Sequence, residues 1–469
     1  MTITLQNTEK GQCYAVKFDR YRQQVVDKLK SSVSIRWWDK QTGAWLIPAT
    51  NKCKAELDQL TYYVRHFEPV QWGTIAQSQT EEDVAFQIPE MPELDGEHGL
   101  KVQPYPYQLQ GIARGLQLKR FINGDDMGLG KTLESIATIN KANAFPCLVI
   151  CPNVVKINWQ REWHKFTDKK AMVLTDSVRD SWPFFWQTGM NQVFIVNYES
   201  LRKYFVRRIT KAEKWTLKDV EFHNTIKLFK SVIIDESHKV KSTATQQTKF
   251  CKGIASGKEY IILLTGTPVV NKPKDLVAQL GIMDRMIDMG GWKGFILRYC
   301  SGPNQASNLK ELNYKLWQHC FFRREKSKVL TQLPDKVRQI VSCEITNRKE
   351  YMDAERDLID YLKRYKEADD EKIQKSLKGE VMVRIGILKD ITARGKLKEV
   401  IDFVKDFREN GKKIILFCNL HEIVDRLMIA FPSAVCVTGR QNMQEKQASV
   451  DAFQKNPKTD VIICSIKAA

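Results

Sequence analysis

The stretch NGDDMGLGKTLES, residues 123–135, decides the fold. FING (121–124) reads as a short strand feeding a loop, and KTLESIATINKA (131–142) as the helix leaving it. At such a junction the loop backbone points its N–H groups toward phosphate oxygens at the positive end of a helix. Gly128 and Gly130 allow close backbone approach, Lys131 is placed to reach the β- and γ-phosphates, and the Thr132 hydroxyl to ligate Mg²⁺. One feature departs from the common pattern: Asp125 stands where the first glycine of such loops belongs.

Outward from the loop, short β-branched runs alternate with helical stretches: CLVICP (147–152), AMVLTD (171–176), VFIVNY (193–198), SVIIDE (231–236) and IILLTG (261–266). Buried runs separated by helices indicate a parallel, doubly wound sheet. A charged, helix-like stretch follows at 350–400, after which KKIILFCN (412–419), SAVCVTG (433–439) and DVIICS (460–465) restart the alternation. The expected class is therefore α/β, with two lobes and a helical connection: lobe 1 over 104–295, the connection over 296–400 and a partial lobe 2 over 401–469.

VIIDESH (232–238) is a buried strand ending in two adjacent carboxylates. An acid there can hold Mg²⁺ through water while its neighbour orients or deprotonates the attacking water. Asp235 is assigned to the metal and Glu236 to the water, which with Lys131 completes the candidate catalytic set. An isolated Asp-Glu pair is more often a solvated strand end. This one opens toward the carboxyl edge of the same sheet as the Lys-Thr loop, where ligands of such sheets bind. Thr265, Gly266 and Thr267, at the end of the next strand, are candidates to couple the γ-phosphate state to a bound polymer, unless they are an ordinary strand turn.

The N-terminal 70 residues read as a small α/β unit. CYAVKF (13–18) is a strand; Asp19 can cap a helix whose inner face carries Val25, Val26 and Leu29. SIRWWDKQTGAWLIP (34–48) reads as a hairpin, and NKCKAELDQLTYYVRHF (51–67) as a second helix. Trp37, Trp38 and Trp45 are either its core or, beside Arg36 and Lys40, a face on which bases stack. Residues 71–103 form an acidic linker; its first thirty residues hold seven acids and no lysine or arginine.

Lysine plus arginine exceed aspartate plus glutamate, 74 to 55, which favours a polyanionic partner, nucleic acid or an anionic membrane surface, over plain solubility charge. No apolar run approaches the ~18–20 residues of a membrane span, and the N-terminus lacks the layout of a signal peptide. The eleven cysteines include no CxxC pair, so reduced thiols in a soluble, intracellular protein are expected.

Taken in order, PYQLQGI (106–112), DDMGLGKT (125–132), CPNVVKINWQREW (151–163), VNYESL (196–201), DESH (235–238) and TGTP (265–268) resemble the motif set of the superfamily-two motors of Swi/Snf type. FFRREKSKVLTQLPDK (321–336) is similar to that family's entry into its second lobe. In the family an acidic pair precedes Met-Gly, so Asp125 and Asp126 fit the loop, and Asp125, Asp126, Met127, Gly128, Leu129, Gly130, Lys131 and Thr132 are implied to hold ATP. Gln108 is implied to read the adenine edge. WWDKQTGAWLIP (37–48) and the helix after it look like the HARP module of annealing helicases related to HepA, implying duplex, forked or single-to-double-strand junction DNA as partner.

The resemblance implies two RecA-like lobes that close on ATP and Mg²⁺, a DNA-dependent ATPase that moves on or remodels DNA, and mostly phosphate contacts. Lys156, Asn197 and Tyr198 are candidate DNA contacts. The basic segment 202–230 is either a further contact or, more simply, a solvated helical face. The ending DVIICSIKAA (460–469) stops short of the family's arginine-rich motif, whose loss lowers phosphoryl transfer by roughly 10³–10⁵. That ending implies a fragment or interrupted product that binds ATP and DNA with poor turnover. A nucleotide-gated DNA clamp and the motor of a nuclease complex are the competing functions.

Overall fold

The structure is a computed structural model. It describes all residues except 9–10, 19–21, 41, 68, 73–85, 212, 270–271, 302–304, 335, 357–384, 387 and 467–469. The expected Asp19 cap, much of the acidic linker and the middle of the 350–400 stretch lie outside the described residues. The chain divides into two compact units, Met1–Leu333 and Pro334–Ala469.

Unit 1 begins with a five-stranded sheet ordered β3-β4-β2-β1-β5 among the described residues. Its elements are β1 (Thr2–Thr8), β2 (Gly11–Lys17), α1 (Gln23–Ser32), β3 (Trp37–Asp39), β4 (Ala44–Pro48), α2 (Asn51–Val64) and β5 (Gln71–Trp72). The apolar stripe of α1, Val25, Val26 and Leu29, is buried as its spacing requires. Thr50 caps α2 by accepting from the Cys53 amide at 3.1 Å. Both helices share one core with Met1, Ile3, Val16 and Ile47. Trp38 is 49% exposed and packs edge-on against Trp45, so the tryptophans are not simply core.

The larger sheet of unit 1 has the order β14-β6-β13-β12-β7-β9-β8 among the described residues. It comprises β6 (Arg120–Asn123), β7 (Cys147–Cys151), β8 (Ala171–Val173), β9 (Val193–Asn197), β12 (Ser231–Asp235), β13 (Tyr260–Leu264) and β14 (Phe321–Phe322). Every pairing in it is parallel. Strands β7, β9 and β13 are buried at each residue, which is why their sequences show continuous apolar runs rather than alternation. Helices α3 (Pro106–Leu118), α4 (Lys131–Lys141), α5 (Lys156–Phe166), α6 (Gln246–Ala255) and α7 (Leu276–Ile282) belong to the same unit.

Register does the positioning. Asn123 of β6 stands beside Leu264 of β13, and Leu264 beside Asp235 of β12. Three strands thus end level with one another, and the loops they release share one carboxyl edge.

Two expectations need correction. The basic segment 202–230 is not a helical face: β10 (Val206–Ile209) and β11 (Val220–Phe222) form an antiparallel hairpin. An Arg208–Glu221 fork joins its strands at 2.7 Å, and Trp215 stacks on Phe250 of α6. Of the expected connection, residues 296–301 and 305–333 fold with unit 1, and β14 extends the large sheet beside β6.

Unit 2 holds a parallel three-stranded sheet among the described residues, ordered β15-β17-β16. Its strands are β15 (Ile414–Cys418), β16 (Val435–Val437) and β17 (Val461–Ser465), with helices α8 (Leu397–Glu409), α9 (His421–Ala430) and α10 (Met443–Lys455). Asn442 and Glu445 close a reciprocal capping box on α10. The expected α/β class with two parallel sheets is what the chain adopts. Among the described residues no helix is long and apolar enough to cross a membrane.

Candidate nucleotide-binding site

The loop between β6 and α4 turns through Gly128 (φ 88°) and Gly130 (φ 89°), a region of backbone space that only glycine enters without strain. A Cβ on Gly130 would also overlap the Gln108 amide. Gln108 is buried, and its side chain braces the loop: Oε1 accepts from the Tyr105 amide and Nε2 donates to the Leu129 carbonyl, both at 3.0 Å. Tyr107 donates its hydroxyl to the same carbonyl at 3.1 Å. Each end of the Gln108 amide thus makes one backbone bond, and one N–H and one oxygen lone pair are not used by these two bonds.

Lys131 is folded back on the loop, donating to the carbonyls of Asp125 (2.7 Å) and Asp126 (3.2 Å). Burial lowers its pKa, opposed by the negative charges of Asp125, Glu236 and Asp235 in that order. The ammonium therefore lies within electrostatic reach of the strand-end acids.

The acidic pair opening the loop turns toward the segment after β14. Asp125 is fully buried and binds Arg324, whose amide (2.7 Å) and Nε (3.1 Å) both donate to Oδ1. The same guanidinium reaches Glu134 of α4 at 2.6 Å and the Tyr107 carbonyl. Asn123 adds a 2.9 Å bond to Glu134. Asp126 accepts from the Lys326 amide and from Arg323, each at 3.0 Å. These carboxylates hold the segment after β14 against the loop.

At the neighbouring strand end, Asp235 accepts from the Trp159 indole (Oδ2) and from the Glu236 amide (Oδ1), both at 2.9 Å. Burial raises its pKa, and the Trp159 bond works against that rise. Glu236 adopts the left-handed conformation (φ 50°, ψ 50°), a strained backbone for this residue. His238 joins the two motifs, with Nδ1 3.1 Å from Glu236 and 3.3 Å from the Thr265 hydroxyl. A second bridge runs from the Ser237 hydroxyl to Gln279 (2.8 Å) and from Gln279 to the Pro268 carbonyl (2.9 Å). Gly266 faces Met127 of the loop. Thr265, Gly266 and Thr267 therefore sit where phosphate loop and acidic strand end meet.

The candidate DNA contacts fare differently. Tyr198 is 1% exposed and donates its hydroxyl to the Asp235 carbonyl; a ring enclosed in this way offers no surface to a DNA strand, and that assignment is corrected. Lys156 and Asn197 are paired at 3.2 Å and mostly buried. Sequence reasoning missed Trp159, Gln279, Glu134 and Arg324. The only signal for Arg324 was its place in FFRRE, a basic pair directly after an apolar one.

Among the described residues no three His, Cys, Asp or Glu side chains converge as a metal cage. A magnesium ion carried on a nucleotide needs none, because phosphates and water supply most of its oxygens. One hydroxyl, Thr132, and one carboxylate, Asp235, suit that donor set.

Parallel sheet, glycine loop and acidic strand end define a nucleotide-dependent α/β protein. The SNF2-related domain matches residues 107–399, and the chain belongs to that family. It is 23% identical to the SWI/SNF-related matrix-associated actin-dependent regulator of chromatin subfamily A-like protein 1 of Xenopus laevis, over 98% of this chain and 48% of that protein. It is 27% identical to the DNA annealing helicase and endonuclease ZRANB3 of Homo sapiens, over 79% of this chain and 34% of that one. The chain thus spans half or less of the length of these relatives. A Sulfolobus solfataricus SWI2/SNF2 ATPase core in complex with dsDNA aligns at 22% identity over 80% of each chain, with a TM-score of 0.43.

Proposed function

We propose that the chain is a DNA-dependent ATPase that couples hydrolysis to movement on, or remodelling of, duplex or forked DNA. The observation carrying this reading is the level ending of β6, β13 and β12, which sets Lys131 and Thr132, the Thr265–Thr267 turn, and Asp235 with Glu236 along one edge. Lys131 and the loop amides hold the triphosphate. Thr132 and Asp235 hold Mg²⁺, which supplies charge neutralisation at the phosphates. Glu236 positions the attacking water and accepts its proton, and His238 passes the state of that carboxylate to Thr265. The excess positive charge and the naming of one relative as a DNA annealing helicase support DNA as the polymer. The N-terminal module, with Trp38 exposed, is assigned to junction recognition.

The test is Glu236→Gln with and without DNA. A motor loses DNA-stimulated hydrolysis by about 10²-fold or more, the usual worth of a positioned base, and keeps its ATP affinity. A nucleotide-gated clamp binds DNA equally well before and after the change, with no stimulated hydrolysis to lose, and that result refutes the proposal.

A further inference from the structure

The pairing of β14 with β6 does not stop where the strands end. The amides of Ile122 (2.8 Å), Gly124 (2.9 Å) and Asp126 (3.1 Å) donate in turn to the carbonyls of Cys320, Phe322 and Arg324. Two residues on one side match two on the other throughout, so the first half of the phosphate loop runs alongside 320–324, held by these three amides. The same step carried once more sets Lys326 beside Gly128. The side chains agree: the Lys326 ammonium would lie 2.9 Å from a Cβ built on Gly128.

Lys326 is half-buried, and among the described residues its ammonium has no carboxylate or hydrogen-bond partner. Its backbone is fixed nonetheless. The amide donates to Asp126, and two residues earlier Arg324 is locked between Asp125 and Glu134. An unpaired ammonium held against the glycine of an anion-binding loop has a clear physical use. A phosphate oxygen arriving in the loop would give it a charge-assisted partner.

We infer that Lys326 is a second phosphate-contacting ammonium of this site, facing the nucleotide's β-phosphate from the Gly128 side. This rests on the nucleotide reading of the loop. The residue comes from the segment leaving the large sheet, so it is a binding group whose placement depends on that segment staying docked. Lys131 has to leave two carbonyls to meet a phosphate; Lys326 has nothing to leave.

The test compares MgATP, MgADP and AMP binding, by displacement of a fluorescent adenine nucleotide, in the parent chain, Lys326→Met, Lys326→Arg and Lys131→Met. Far-ultraviolet circular dichroism and thermal melts confirm that each variant is folded. Lys326→Met is expected to weaken MgATP and MgADP by about tenfold, the scale of one charge-assisted phosphate contact, and to leave AMP unchanged. Lys326→Arg, which keeps the charge, restores most of the affinity. In ATPase assays the Met variant raises KM with kcat held within about twofold, the signature of a contact made equally in ground and transition states. Parent-like affinity in a folded Lys326→Met, alongside a weakened Lys131→Met, overturns this inference and leaves the proposed function standing. Equal weakening of AMP and ATP also overturns it, because the loop rather than a phosphate contact has then been damaged. A folded parent that binds no MgATP overturns the nucleotide reading itself.

Discussion

Arg324 is the residue on which the loop's shape depends most. Its guanidinium is 8% exposed and sits between two carboxylates, Asp125 and Glu134, that are nearly inaccessible. Arg324→Met keeps the volume and removes the charge, leaving both acids buried against each other. Breaking a buried ion pair from one side costs about 3–5 kcal/mol, and two stranded acids put this case at the upper end. At an unfolding entropy of ~2.1 cal/mol/K per residue, a unit spanning Met1–Leu333 shifts by ~1.4 °C per kcal/mol, so unit 1 should melt lower by about 7 °C. The control is Glu134→Gln, which keeps one acceptor oxygen at the Oε2 position shared by Arg324 and Asn123, turns the other position into an N–H donor facing Arg324, and removes one of the two negative charges, for about 1–3 kcal/mol. Glu134 also predicts a pH effect. Burial first, and then the charge of Asp125, pushes its pKa well above the ordinary 4.5, against the pull of Arg324. A carboxyl whose folded pKa is raised contributes stability fully below about 4.5 and loses it as pH rises through the folded value. That loss should vanish in Glu134→Gln. All eleven tryptophans precede residue 334, so intrinsic fluorescence in urea reports unit 1 alone. An Arg324→Met within 1 kcal/mol of the parent, or a Glu134→Gln that costs as much as Arg324→Met, refutes the reasoning.

Two further substitutions probe the strand-end acids. Trp159→Phe removes the indole donor from Asp235, so the carboxyl pKa rises further; the Mg²⁺ concentration for half-maximal ATPase should rise by about 10-fold or more, as for other partners of metal-holding groups. Gln279→Leu cuts the bridge between Ser237 and Pro268. DNA stimulation of the ATPase should fall several-fold while basal hydrolysis persists, and equal loss of both would show that the bridge is only structural.

The sequence made legible whatever was local. The glycine loop, the Asp-Glu strand end and the buried strands are written in contiguous residues, and the parallel class followed from apolar runs without alternation. The braces of the site were hidden because their partners lie far apart. Trp159 meets Asp235 across 76 positions, Gln279 meets Ser237 across 42, and Arg324 meets Asp125 across 199. Strand β1, TITLQNT, was not read as a strand because its few apolar residues barely mark a face; its ladder with β2 pairs all seven residues. Tyr198 misled because its motif position was read without its burial.

The puzzle posed by Asp125 resolves as electrostatics. Without residues 323–326, three carboxylates (Asp125, Asp126 and Glu134) would face the single ammonium of Lys131 around a loop meant for a highly charged anion. Two like charges 4 Å apart cost about 4 kcal/mol at the effective dielectric of a protein surface, enough to offset much of what loop amides and a helix end provide. The segment after β14 reverses that balance. Arg324 neutralises the buried pair, Arg323 and the Lys326 amide engage Asp126, and the Lys326 ammonium remains unpaired at Gly128. The loop and this segment are therefore one functional object, although some 190 residues separate them. Any motion that lifts 320–326 from the loop turns an anion site into an acidic one, so nucleotide binding and the docking of this segment must favour each other.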